Sequence, residues 1–130
     1  MFYADNYIVD LDDPQVIQAI WEKGIEVKGY DKDLYRQDAG GAWMARDAYG
    51  DTSRNFGWQI DHIYPKQRGG DNHFINLRPM NWQNNISKGD AYPEYTAAVT
   101  SKENKNIIQD TRCKVNVALQ EKLKQLYDNK

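Results

Sequence analysis

Apolar residues recur at Val16, Ile17, Ile20 and Trp21, the spacing of one helix face, and predict a helix over about residues 14–23. Asp12 or Asp13 supplies a cap before Pro14 at the first helical position, and Gly24 supplies the stop. The aromatic and β-branched opening, residues 1–9, predicts a short strand. Tyr30 to Asp33 and Gly40-Gly41 read as turns, with a strand over Ala42 to Arg46 that ends near the turn at Tyr49 to Asp51. Trp58 and Ile60 then alternate with Gln59 and Asp61, as in a half-buried strand. A polar loop around Gly69-Gly70 leads to a second strand over Phe74 to Leu77, and Pro79 opens a helix that Gly89 closes after Lys88. Beyond Asp90, Tyr95 to Thr100 and the stretch from Asn106 predict a hairpin. Val117, Leu119, Leu123 and Leu126 predict a terminal helix ending in the polar residues 128–130. The expected class is α+β, in one domain over residues 1–130.

Composition narrows this picture only a little. Hydrophobic residues at 40% and charged ones at 28% suit an ordinary soluble domain. Four Trp and nine Tyr are many for the length; core packing explains most, with Trp58 in the core, and surface stacking on bases is the other use. The single cysteine, Cys113, excludes an intrachain disulfide and an all-cysteine zinc site, and reads as a small buried hydrophobe. No basic start with a long apolar run marks a secretory signal, and no stretch is apolar enough for a bilayer, so a cytoplasmic setting without membrane contact is expected. Delivery by a specialised secretion system would leave no readable mark.

Charge changes the picture more. The net charge of −2 does not advertise a nucleic-acid binder. Its distribution is uneven: residues 1–50 hold 10 acidic and 5 basic groups, residues 51–90 hold 4 and 5, and residues 91–130 hold 5 and 7. A substrate groove is therefore expected along the central block and the C-terminal part.

The candidate chemistry lies between Gly57 and Asp90. Asp61 and His62 fall at a strand end, Asn76 in a hydrophobic run, and Asn85 and Lys88 late in a helix. Carboxylate and amide oxygens are hard ligands suited to Mg²⁺ or Mn²⁺, and a neutral histidine beside them can take a proton from water. Arg78 can grip phosphate or form a structural ion pair; Lys66, Arg68 and Arg54 are further phosphate candidates. His73 reads as an exposed loop histidine.

In order and spacing, Asp61-His62-Ile63, Pro65, Gly69-Gly70, Asn76-Leu77, Asn85 and Lys88 resemble the HNH endonuclease motif, the core of the ββα-metal nucleases. The resemblance covers residues 57–90, and the lead-in resembles small stand-alone members. It implies a ββα-metal core carrying an N-terminal helix, additional short strands or a hairpin, and a C-terminal helix. It implies His62 as general base, Asp61 and Asn85 as ligands of one divalent cation, and Asn76 as the residue that ties the loop and orients the histidine. Lys88 matches a lysine that contacts phosphate or packs the helix. Many members hold a structural zinc on Cys-x-x-Cys pairs; Asn81 and Asn84 occupy those places, so no zinc is expected, and packing by Trp82 and Trp58 must replace it. The implied function is metal-dependent hydrolysis of phosphodiester bonds in DNA. The alternative is a catalytically silent module for nucleic acid or protein, and the acidic first part suits a partner such as an immunity protein or a larger complex.

Overall fold

The computed structural model describes residues 3–128. Helix α1 (Pro14–Trp21) starts as expected: the Asp13 side chain accepts from the Gln15 amide at 2.9 Å, ahead of Pro14. It stops earlier than residue 23, because Lys23 and Gly24 bond back three residues, to Ile20 and Trp21, and tighten the last turn. Val16, Ala19, Ile20 and Trp21 are its buried face. The strand expected over residues 1–9 is not formed within the described residues. A turn closed by Tyr7 N–H to the Ala4 carbonyl breaks it, and Ile8 makes a single isolated β-bridge, to His73.

Strands β1 (Tyr35–Gln37) and β2 (Trp43–Ala45) form a small antiparallel pair about the Gly40-Gly41 turn. Strand β3 (Trp58–His62) pairs antiparallel with β4 (Leu77–Asn81), in a register that sets Asp61 opposite Arg78 and His62 opposite Leu77. Helix α2 (Trp82–Lys88) follows at once, capped by Asn81, whose side chain accepts from the Gln83 amide. Here two boundaries differ from the sequence reading. Phe74–Asn76 is a 3-10 turn, so the second strand begins where it was expected to end. Pro79 lies inside β4 opposite Ile60 and does not open the helix. In a two-stranded sheet each strand has a free edge, where a missing N–H removes no ladder bond.

Strands β5 (Glu94–Lys102) and β6 (Lys105–Lys114) make a long hairpin against which α2 packs. Its turn dispenses with glycine by placing Glu103 at φ 56°. Cys113 lies on β6, half-exposed rather than buried, because β6 turns most of its side chains to solvent. Helix α3 (Val117–Tyr127), capped by Asn116, buries Leu123 and Tyr127. The end of the expected polar tail, residues 129 and 130, lies outside the described residues.

The architecture is α+β with three small antiparallel sheets. Its core has three parts: Trp21, Met44 and Trp58; Val9, Val16, Ile20 and Leu77; and Ile63, Val115, Leu123 and Tyr127. Among the described residues no helix is long and apolar enough to cross a membrane.

Candidate functional site

The end of β3, the loop after it and the end of α2 enclose an open cleft of about 430 Å³. Asp61, His62, Lys66 and Asn85 all line it. Asp61 and Asn85, 24 positions apart, thus meet because the β3–β4 pair turns back and α2 leaves β4 without a linker, recrossing the end of β3. The C-terminal part expected to share the groove contributes nothing to this cleft, whose lining comes only from residues 60–90.

His62 is half-buried, and its Nε2 lies 2.8 Å from Asn72 Oδ1. An amide oxygen only accepts, so Nε2 carries the proton and Nδ1 keeps its lone pair. Among the described residues Nδ1 has no partner. Asn72 was missed by sequence reasoning; a short polar residue in the loop between the histidine and Asn76 was the only signal.

Asn76 is fully buried and staples that loop. Its Oδ1 accepts from the Tyr64 amide at 2.7 Å, and its Nδ2 donates to the Tyr64 and Asp71 carbonyls, both at 3.1 Å. Two glycines let the loop close. Gly69 adopts φ 103°, and a Cβ on Gly70 would fall 1.8 Å from the Tyr64 carbonyl oxygen. The loop is held from outside as well. Asp71 accepts from the Tyr127 hydroxyl at 2.7 Å and pairs with His73 Nδ1 at 2.5 Å. Burial pushes the Asp71 carboxyl up, but the bonds from His73 and Tyr127 win and hold it below its ordinary value. His73 is thus largely enclosed, not an exposed loop residue.

Asp61 is buried, with Arg78 Nε 2.9 Å from Oδ2 and Lys88 Nζ 3.3 Å from Oδ1. The Lys88 side chain is 0% exposed and also donates to the His62 and Ile63 carbonyls, both at 3.2 Å. Of its two implied roles, geometry favours packing: the ammonium ties the end of β3 to α2 and does not face solvent. Burial lowers its pKa, against the opposing pull of Asp61. Arg78 makes the ion pair and lies 5.2 Å over the Tyr95 ring; its Nη2 is buried without an acceptor among the described residues.

The other cations are spread. Lys66 sits at the cleft without a partner among the described residues. Arg68 donates to the Asp90 carbonyl at 3.2 Å. Arg54 pairs with exposed Asp47 at 3.0 Å, outside the cleft.

A divalent cation is tested by the donor set. Among the described residues no three His, Cys, Asp or Glu side chains gather as a metal centre. Asp61 and Asn85 nevertheless offer two hard oxygens to one cleft. Asn85 donates its Nδ2 to Gln59 Oε1 at 2.9 Å, which turns the amide and leaves Oδ1 without a partner among the described residues. Each Asp61 oxygen has a second lone pair beyond the one its cation uses. The donors therefore fit a hard cation that takes its remaining ligands from water or substrate.

At the positions where zinc cysteines were sought, Asn81 and Asn84 are fully buried in a hydrogen-bond clasp around Asp38. Asp38 Oδ2 accepts from the Asn81 amide at 3.0 Å and Asn84 Nδ2 at 3.1 Å; Oδ1 accepts from the Gly40 and Ala42 amides, both at 2.9 Å. Burial pushes the Asp38 carboxyl up while these four bonds pull it down. Asn84 Oδ1 accepts from the Ala98 and Val99 amides at 2.8 and 2.9 Å, where the β5–β6 register slips. Trp58 packs in the core as expected, but Trp82 is only half-buried and spends its indole N–H on the Arg54 carbonyl. Polar bonds, more than tryptophan packing, knit this region.

No curated protein and no solved structure matches the chain. Residues 53–94 match the family model described as HNH endonuclease. That match spans β3, the stapled loop, β4 and α2, and with them every residue that lines the cleft; over residues 53–94 the chain is similar to HNH endonucleases.

Proposed function

We propose that the chain is a single-domain, metal-dependent endonuclease that hydrolyses phosphodiester bonds in DNA, with a ββα-metal core formed by β3, β4 and α2. The family assignment supports nuclease-type chemistry. The observation that carries the finer reading is the set of His62 Nδ1, Asp61 and Asn85 around one cleft, with the imidazole fixed from behind by Asn72.

His62 Nδ1 takes a proton from the attacking water as the oxygen adds to phosphorus. Asn72 keeps Nε2 protonated, so the ring accepts at Nδ1 alone and shares the resulting positive charge with the amide oxygen. Asn76 fixes the loop that carries Asn72 and is a positioning residue. Asp61 and Asn85 would hold Mg²⁺ or Mn²⁺, which when bound offsets charge on the phosphate oxygens and the leaving oxygen. Lys88 holds the backbone at His62 and the carboxylate of Asp61 in one frame. Lys66 at the cleft edge, with Arg68 and Arg54 further out, attracts the strand.

A second reading rests on the Asp61 clamp. A carboxylate already paired with both Arg78 and Lys88 is electrically satisfied without a metal, as in a silent module that only binds nucleic acid or a partner protein. Plasmid incubated with the protein in Mg²⁺, Mn²⁺ or EDTA separates the two. The nuclease reading expects metal-dependent nicking that His62→Ala reduces about 10²–10⁴-fold. Plasmid binding without nicking, or equal nicking by the variant, rejects it.

A further inference from the structure

A second cleft, of about 460 Å³, lies between the start of α3 and β4 and falls within the range of about 300–1,000 Å³ usual for small-molecule sites. Its lining includes Lys23, Arg78 and Lys122 against one carboxylate, Asp5, with Leu77 among its apolar walls. Arg78 is shared structurally: its Nε faces Asp61 of the first cleft, while its Nη2 is buried with no acceptor among the described residues. That nitrogen is closed off from solvent, so Arg78 contributes its charge to the wall of the cleft and not a free N–H. Lys23 donates to the Phe74 and Leu77 carbonyls and lies 3.8 Å over the Phe74 ring, so its charge is held in place, not left mobile. The single opposing carboxylate is 63% exposed and meets Lys122 at only 3.7 Å, a pair that water and salt screen. Ala118 stands in the first turn of the 11-residue α3, where peptide dipoles add to the positive potential.

We infer that this cleft binds a phosphate ester of nucleotide size, with Arg78, Lys23 and Lys122 around the phosphate and the apolar walls against the sugar or base. It is separate from the His62 cleft, with the Asp61–Arg78 pair as the wall between them. The ester can be a free mononucleotide or one residue of a nucleic-acid strand.

Calorimetric titration in EDTA tests this without cleavage, so the outcome is independent of nuclease activity. The titrants are inorganic phosphate, a deoxynucleoside monophosphate and a short single-stranded oligonucleotide. The variants are Lys122→Gln and Ala118→Glu. Both positions are exposed, and a carboxylate in the first helical turn favours the helix, so folding is retained. Saturable binding of the monophosphate, competed by inorganic phosphate, assigns a free-nucleotide site; saturable binding of the oligonucleotide alone assigns a strand site. In either case Ala118→Glu weakens binding about tenfold or more, and Lys122→Gln weakens it less. No saturable binding by any titrant, or binding by Ala118→Glu equal to that of the unmodified chain, overturns the inference.

Discussion

Replacing Asn84 by alanine tests the clasp that knits α2 to the β5–β6 hairpin and to Asp38. The side chain makes four hydrogen bonds at 0% exposure: to Asp38 Oδ2, to the Val99 carbonyl, and from the Ala98 and Val99 amides. Alanine raises helix propensity by at most ~0.7 kcal/mol, a small gain. Against it stand the buried Val99 amide and the part-buried Ala98 amide, which lose this acceptor at ~1–3 kcal/mol each, and a carboxylate that loses one of its four donors. The space vacated is close to that of one water, which can restore part of the loss. The net expectation is a destabilisation of ~2–4 kcal/mol. Urea unfolding followed by tryptophan fluorescence reads it directly, since Trp21, Trp43 and Trp58 are all buried. Asn84→Asp sharpens the test. It sets a second carboxylate about hydrogen-bond distance from Asp38, so the folded pair holds a proton more tightly than the unfolded chain does. That variant should be closest to the parent near pH 5 and lose stability as pH rises to 8. A loss under ~1 kcal/mol for the alanine variant, or a flat pH profile for the aspartate variant, would refute the account of this region.

Three further outcomes follow from the site. Asn72→Ala should lower kcat for metal-dependent nicking about tenfold with little change in KM, because it frees the imidazole and its tautomer without touching substrate; an unchanged kcat counts against the positioning role. Gly70→Ala should displace the stapled loop, since its Cβ would meet the Tyr64 carbonyl; nicking should fall by more than the urea midpoint predicts, and parallel losses would argue for a merely global effect. Burial lowers Lys23 from 10.5 to about 8. Its folded pKa lies below its unfolded one, so stability should climb as pH passes from about 8 to 10.5, and Lys23→Met should remove that climb. Matching pH slopes for the two proteins, measured by urea unfolding, would rule this out.

The sequence was most legible where periodicity and local caps decide the structure. Asp13 before Pro14 is a local device that no distant contact has to confirm. It was least legible where tertiary pairing overrides local preference. Pro79 reads as a helix opener, yet a free sheet edge tolerates it inside β4. Tyr35–Gln37 shows no strand pattern, and forms β1 only because β2 folds back on it. For the cleft, residue identity and order were enough to bring Asp61, His62 and Asn85 together on paper. The partners of those residues were not. Arg78 and Lys88 meet Asp61 through strand register and a helix crossing, and Asn72 meets His62 through loop closure; neither leaves a periodic trace. The Asp38 clasp spans residues 38 to 99 and was invisible for the same reason.

The span of the His62 cleft has an evolutionary consequence. Its walls are drawn entirely from residues 60–90, and the fasteners of its loop, Asn72, Asn76 and Lys88, lie within the same stretch. The rest of the chain meets this unit at several seams, among them the Asp38 clasp, the Tyr127 hydroxyl on Asp71, the Ile8–His73 bridge and the apolar contacts of Ile63 and Leu77. The surrounding sequence is therefore free to vary only as far as each seam is still met by a donor, an acceptor or an apolar side chain.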